Sequence, residues 1–450
     1  MIEKAKTKIA ILLLNDLIVE DFDSIVNALE FKKNVLVIAN TKINTKKYDV
    51  QCMIDSLDNV ESLLRKLQLY KSTHNIDFCG IVGTDEEYGY VFSESIAKEF
   101  KLEFNSKKTL DLVSNKYLQV SALKKGGVDV PDFRLVDTYT ESKDFKLPCV
   151  IKPVRGISSI HVYKCDTDKD LKDIFVKLEE YKSKATLLSL THSSNSDAKA
   201  VVQRLIDPST KTLTEIDTSK HFVLEEFIDG NEYSCDFLVG KEVGKELILL
   251  RVVKKIVSKK YFPFFEGLCL FNPDNSNSEF SSNALVAVCK KIAKSLNIQT
   301  GLCMVDFRFD AKKKKIVVIE TTTRPGVDDF MSLMYKNYGY ISISIALRQI
   351  FGTINVNSLR EIPRNSSIII YLFIPRSGIL KKFDISRLEK LRLKGVREIV
   401  KYDEVGDKVD YMGPLKNPPF VGHVIIDDID TKDIEKIILQ IRSSVDIELK

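Results

Sequence analysis

The sequence predicts an α/β protein, with α+β character towards its end, organised as several domains. Three observations predict it. The first ~110 residues alternate short apolar runs with helical stretches, the βαβ rhythm of a doubly wound parallel sheet. The chain has 450 residues, more than one hydrophobic core organises, so roughly two to four domains are expected. A strand–turn–strand pattern in the second half, followed by helices and short strands, points to antiparallel pairing there.

The elements follow in order. Lys8–Leu14 (KIAILLL), Asn34–Ala39 (NVLVIA) and Ile76–Val82 (IDFCGIV) read as buried parallel strands, with a helical pattern at Val60–Leu69 between them. LLLNDLIVEDF follows the first strand without a glycine, so the tight turn of a dinucleotide site is not expected. One helix is expected over Ser114–Lys125, closed by Gly126-Gly127, and Pro131 opens an extended segment. From Pro148 to Val239 the order is strand, turn, helix (Asp168–Ser183), polar stretch and two further strands flanking Asp229-Gly230. Thr191–Lys220, rich in Ser, Thr, Asp and Lys, reads as a mobile loop or insertion.

Ser281–Asn297 is amphipathic, with Leu285, Val288, Cys289, Ile292 and Leu296 on one face. Strands Gly301–Phe309 and Lys315–Glu320 follow, joined as a hairpin by DAKKKK. One helix is expected at about Asp329–Phe351, short strands at Ser367–Phe373 and His423–Ile426, and a last helix at Asp433–Ser443.

Composition narrows the function classes. The 68 basic and 63 acidic residues leave a net charge of +5, spread along the chain, so no nucleic-acid partner is expected. No apolar run reaches the ~18–20 residues of a membrane span. The start, MIEKAKTKIAILLLND, resembles a signal peptide, but its apolar run ends at Asn15-Asp16 without a small-residue cleavage site, and an opening strand is the better reading. None of the 8 cysteines forms a C-x-x-C pair. They read as reduced core thiols of a cytoplasmic protein.

Three clusters carry chemistry. In VIKPVRGISSIHV, Lys152 stands in an apolar strand before a turn. It either snorkels to water or serves a phosphate cradled by the Pro153–Ser159 turn. In FVLEEFIDGNEYSCDF, Glu225, Glu226 and Glu232 crowd one turn. They are exposed acids of a hairpin, or Glu225 and Glu232 accept hydrogen bonds from an amine and a diol. In VDFRFDAKKKKIVVIETTTRPG, Asp306 and Glu320 lie on adjacent strands, where register can put both on one face. They are two surface acids, or a pair neutralised by Mg²⁺, which prefers oxygen ligands. Arg324 beyond them can grip a carboxylate or an acyl phosphate with its planar fork.

In chain order these clusters give a phosphate lysine, a hinge and a two-carboxylate hairpin ending in E-x-x-x-R-P-G. The order resembles the ATP-grasp superfamily, in particular its carboxylate–amine ligases of the L-amino-acid ligase type. The resemblance implies a Rossmann-like pre-ATP-grasp domain over 1–115. A two-subdomain ATP-grasp fold follows over 116–345, its small mobile subdomain at about 147–224, and a C-terminal α+β domain over 346–450.

It further implies that Lys116, of the SNK segment, and Lys152 reach the phosphates of ATP, with Gly156, Ser158 and Ser159 in the loop over them. Glu225 would serve the adenine amine, the backbone around Glu226, Phe227 and Ile228 the adenine edge, and Glu232 the ribose. Asp306 and Glu320 would hold one or two Mg²⁺ ions, or Mn²⁺, with Thr322 as a weaker ligand. Arg324 would steady the acyl phosphate. His161, Glu266 and Asp328 are candidates on the substrate side.

Three positions depart from the family pattern. Thr322 replaces the usual Asn. Ser158 and His161 stand where two loop glycines would be. Met304 stands where related ligases carry Arg or His.

The implied function is ATP-dependent formation of an amide or peptide bond between small molecules, with release of ADP and phosphate. The partners are a small carboxylic acid and an amine, with no membrane and a homodimer as the default assembly. A biotin-carboxylase-like or purine-pathway carboxylating enzyme, or a non-catalytic ATP-binding protein on the same scaffold, is the alternative.

Overall fold

A computed structural model describes residues 6–14, 25, 29, 31–40, 50–57, 59–84, 88–155, 161–184, 221–240, 247–258, 262–275, 278–326, 330–355, 359, 366–374, 376–390, 395–409 and 420–450. The polar stretch 191–220 lies outside them.

The first four strands, β1 (Thr7–Leu14), β2 (Val35–Ala39), β3 (Gln51–Ile54) and β4 (Ile76–Gly83), form a sheet in the order β3-β2-β1-β4. Their pairs are parallel, as the unbroken apolar runs predict. Helix α1 (Val60–His74) starts where the Asn59 side chain accepts the Ser62 N–H and stops at Asn75, whose left-handed φ of 50° ends the turn. Its Leu63 and Leu67 bury against Ile9, Ile11 and Ile38. Helix α2 (Tyr88–Phe100) follows.

The helix expected over Ser114–Lys125 is present as α4 (Lys116–Lys125), and α3 (Lys107–Ser114), which the sequence reading did not name, precedes it. Asn115 between them is extended, at φ −114° and ψ 106°, and its side chain caps the Leu118 N–H. This cap starts α4 two residues later than expected.

A small antiparallel sheet has the order β5-β8-β6-β7, from β5 (Phe133–Val136), β6 (Cys149–Pro153), β7 (Tyr163–Cys165) and β8 (Phe222–Glu226). Helix α5 (Asp168–Lys184) packs Leu171, Phe175 and Leu178 on it. The strands flanking Asp229-Gly230 are not a hairpin. β8 belongs to this small sheet, whereas β9 (Gly230–Val239) belongs to an eight-stranded one. Residues 227–229 are thus a hinge between sheets. A Cβ on Gly230 would stand 2.0 Å from the Phe309 carbonyl oxygen, so the hinge closes on a glycine.

The large sheet has the order β13-β12-β9-β10-β11-β14-β18-β16. Its members are β9, β10 (Ile248–Val257), β11 (Phe265–Leu270), β12 (Gly301–Asp310), β13 (Lys315–Thr322), β14 (Ser366–Phe373), β16 (Val396–Lys401) and β18 (Phe420–Ile429). On one face Tyr233, Cys235, Phe237, Val305 and Phe307 are buried under Leu285, Cys289 and Ile292 of α6 (Ser282–Ser295) and Leu296 just past its end. The two-residue period of strands puts charged residues on the other face.

The expected helix at 329–351 is also two, α7 (Phe330–Tyr338) and α8 (Ser342–Ile350), parted at Gly339, where φ is 75°. β14, β16 and β18 extend the large sheet. β15 (Gly378–Asp384), β17 (Lys408–Val409) and β19 (Asp446–Leu449) make a separate three-stranded one. The terminal helix α9 (Ile434–Ser443) buries Ile434, Ile438 and Ile441. Among the described residues no helix is long and apolar enough to cross a membrane.

Candidate active site

The charged face is a register of rows. Asp306 and Glu320 are direct partners across β12 and β13, and Asp306 also pairs with Ser234 on β9. In the next row Arg308, Glu232 and Lys255 stand side by side on β12, β9 and β10. On the far side Thr322, Met304, Asp236 and Arg251 form a third row across four strands. Two carboxylates on neighbouring strands would repel, so each needs a cation.

Lysines supply them. Lys116, at the first turn of α4, hydrogen-bonds Glu320 Oε1, and its own N–H is fixed to the Val154 carbonyl at 2.9 Å. α4 is itself pinned to β13 by Gln119, whose amide accepts the Thr321 N–H at 2.8 Å and donates to the Thr321 carbonyl at 2.6 Å. Burial pushes the Glu320 carboxyl up, but Lys116, Lys152 and Arg324 outweigh it and hold it below the ordinary range. Lys255 Nζ lies 2.6 Å from Asp306 Oδ2 and 3.6 Å from Glu232 Oε1. Burial pulls this ammonium down, yet Asp306 and Glu232 hold it above the ordinary lysine range.

Lys152 does not snorkel. It is 4% exposed, donates to the Ile319 carbonyl at 3.3 Å and pairs with Glu225 Oε2 at 2.8 Å. It therefore stands one residue from Glu320 along β13, although 167 positions separate Lys152 from Ile319 in sequence. The three hinge glutamates are likewise separated. Glu225 turns inward to Lys152, Glu226 pairs with Lys146 at 2.6 Å, and Glu232 takes Arg308 Nε at 3.0 Å and Nη2 at 2.8 Å. Arg308 Nη1 also holds the Ile228 carbonyl at 3.1 Å. The Phe227 ring has Lys164 Nζ and the Arg308 guanidinium each 4.6 Å from its centroid.

Arg324 follows directly on this hairpin and donates from Nη1 to the Pro325 carbonyl at 2.8 Å. Among the described residues, the buried oxygens Glu225 Oε1, Asp306 Oδ1 and Thr322 Oγ1 of the cleft have no hydrogen-bond partner. A buried acceptor without a donor costs about 1–3 kcal/mol. Two carboxylate oxygens and a hydroxyl are the donor set a hard cation or a ligand amine would satisfy, so these residues fit both Mg²⁺ and an adenine amine.

The other candidates are placed differently. His161 contacts the Tyr163 hydroxyl through Nδ1 at 3.1 Å, and burial pulls its pKa down. Glu266 stands on β11. It accepts from Ser258 Oγ at 2.9 Å and pairs with Arg442 of α9 at 3.1 Å. Gly156, Ser158, Ser159 and Asp328 lie outside the described residues.

Sequence reasoning missed Lys255, Arg308, Asp236 and Arg251. The signal existed. ILLRVVKKIV carries Arg251 and Lys255 at alternate positions of an apolar strand, the same anomaly that drew attention to Lys152.

Residues 191–331 match the ATP-grasp domain family model. Over 218 residues the chain is 28% identical to D-alanine–D-alanine ligase of Anaplasma marginale, covering 47% of this chain and 52% of that protein. It thus spans about half the length of the curated relatives it matches. The crystal structure of L-amino acid ligase from Bacillus licheniformis matches with a TM-score of 0.71 at 17% identity, over 99% of this chain and 100% of that one. Phosphoribosylglycinamide synthetase from Anaerococcus prevotii matches with a TM-score of 0.60 at 15% identity, over 99% and 100%. Residues 191–331 are thus similar to the ATP-grasp domain, and the chain shares the multi-domain α/β fold of these two structures.

Proposed function

We propose that the protein is an ATP-dependent carboxylate–amine ligase that joins small molecules, amino acids foremost, through an acyl phosphate, releasing ADP and phosphate. The observation that supports it most is convergence. Lys116 from α4, Lys152 from β6 and the Asp306–Glu320 pair from β12 and β13 meet in one cleft beside the 227–229 hinge. On this reading the division falls near residues 115 and 345, with the tail sharing the large sheet.

A carboxylate resists nucleophiles because it is already negative. Transfer of the γ-phosphoryl group from ATP to the carboxylate oxygen makes it an acyl phosphate, and ADP leaves. The amine then attacks the acyl carbon and phosphate departs. The protein's part is positioning and charge. Lys116 and Lys152 offset charge on the transferring group. Glu225 takes the adenine amine and Glu232 the ribose. Arg324 steadies the acyl phosphate. Asp306, Glu320 and Thr322 would hold Mg²⁺, which supplies neutralisation of phosphate charge when bound.

The test is a screen of amino-acid pairs with ATP, following ADP and phosphate release and identifying the product by mass spectrometry. Amide product with stoichiometric ADP supports the reading. AMP and pyrophosphate, or nucleotide binding without turnover of any pair, would count against it.

A further inference from the structure

The segment 323–326 has a geometric problem to solve. Thr322 stands in one row with Met304 on β12, Asp236 on β9 and Arg251 on β10. Four residues later, Gly326 donates its N–H to Asp236 Oδ1 at 3.0 Å. The chain thus crosses two strand spacings, about 10 Å, in a stretch that spans at most about 14 Å. Pro325 fixes one φ within it. Little slack remains, and Arg324 is the midpoint. Its placement over the sheet is set by tethers on both sides, Thr322 in the ladder with the Thr323 N–H donated to the Tyr90 hydroxyl at 2.8 Å, and Gly326 on Asp236.

The far tether is built in detail. Asp236 and Arg251 are both fully enclosed, with Asp236 Oδ1 2.8 Å from Arg251 Nη2. Asp236 Oδ2 takes the Ser342 hydroxyl of α8 at 2.7 Å. Gly326 lies flat against this pair. A Cβ there would stand 1.8 Å from Arg251 Nη2 and 3.2 Å from Asp236 Oδ1. A buried ion pair adds little stability by itself, because desolvation offsets the attraction, and apolar residues would fill the space as well. What apolar residues cannot do is accept a backbone N–H at a fixed point.

We propose that Asp236, held by Arg251 and Ser342, is a positioning residue that sets Arg324 by anchoring Gly326 across the sheet. The inference rests on the ligase reading, in which Arg324 steadies the acyl phosphate. Asp236 touches no substrate and acts only through the loop.

The test uses the full chain, MgATP and pairs drawn from the twenty protein amino acids and D-alanine, following ADP and amide product together. Gly326→Ala keeps every charge and lifts the loop. Its kcat is expected to fall at least tenfold, with the KM for MgATP within twofold, a Tm within a few degrees, and less amide formed per ADP released. Adding Arg324→Ala to Gly326→Ala should cost far less than adding it to the wild type, because the guanidinium is already displaced. If Gly326→Ala does not fold, Ser342→Ala carries the same cycle. Multiplicative effects, or a KM for MgATP that rises as kcat falls, overturn the proposal. A wild type that releases ADP with no pair overturns the ligase reading and the proposal with it. An active wild type with an additive cycle overturns the positioning role alone.

Discussion

Lys152 Nζ and Glu225 Oε2 lie 2.8 Å apart, with side chains 5% and 4% exposed. The pair joins β6 to β8, the strand that enters the hinge. From the sequence, Lys152→Ala would be expected to remove activity and leave the fold intact. The buried pair changes that expectation. Removing one partner leaves an uncompensated charge and costs about 3–5 kcal/mol. Lys152→Ala should therefore lose both turnover and stability. Lys152→Ala with Glu225→Gln should recover most of the melting temperature and none of the ADP release. Thermal melting and nucleotide turnover on the two variants separate these effects, and a normal rate in either would remove Lys152 from the mechanism.

Glu320→Gln keeps the shape of the side chain and removes its charge. The Mg²⁺ concentration needed for half-maximal ADP release should rise at least tenfold, and kcat should drop with it. An unchanged Mg²⁺ titration would contradict the metal role of the hairpin.

Gly230→Ala tests the hinge. With the Phe309 carbonyl 2.0 Å from the new Cβ, either β9 or β12 must shift. Destabilisation of about 2–4 kcal/mol is expected, the range of severe backbone clashes. Denaturant unfolding measures it, and a loss under about 0.5 kcal/mol would show that the two strands have room to adjust.

Asp310 closes the β12–β13 turn by accepting the Lys312 and Lys313 N–H groups at 3.0 Å each. The Lys313 N–H chiefly holds its pKa below the ordinary aspartate value, against burial, which raises it. A lowered folded pKa means stability present above the unfolded value near 3.9 and lost as pH falls through the folded one. Asp310→Ala should cost about 1 kcal/mol at pH 7. The gap in Tm between variant and wild type should narrow below about pH 4. A gap that stays constant with pH would show that the carboxylate's charge contributes nothing.

Most of the local elements, and the candidate charged clusters, were legible in the sequence. Apolar runs at 8–14, 34–39 and 76–82 read as buried parallel strands, and those strands are present. The hairpin at 301–320 followed from two apolar strands and a charged turn. A lysine and carboxylates in apolar strands marked Lys152, Glu225, Asp306 and Glu320, because such groups are buried only for a partner. Where the reading failed, the deciding energy was not periodic. Asn115 starts α4 two residues later than expected through its cap, and Gly339 splits the helix expected at 329–351 through a left-handed turn, which a hydrophobic pattern does not register.

Tertiary structure decided which charge meets which. Glu225 finds Lys152, Glu320 finds Lys116 and Asp306 finds Lys255, through strand register and sheet order rather than sequence distance. It also assigned β8 and β9 to different sheets and so turned an apparent hairpin into a hinge. The physical reason is that pairing partners in a sheet are chosen by burial of whole faces. That choice is made over the assembled sheet and is written in no single stretch of the chain.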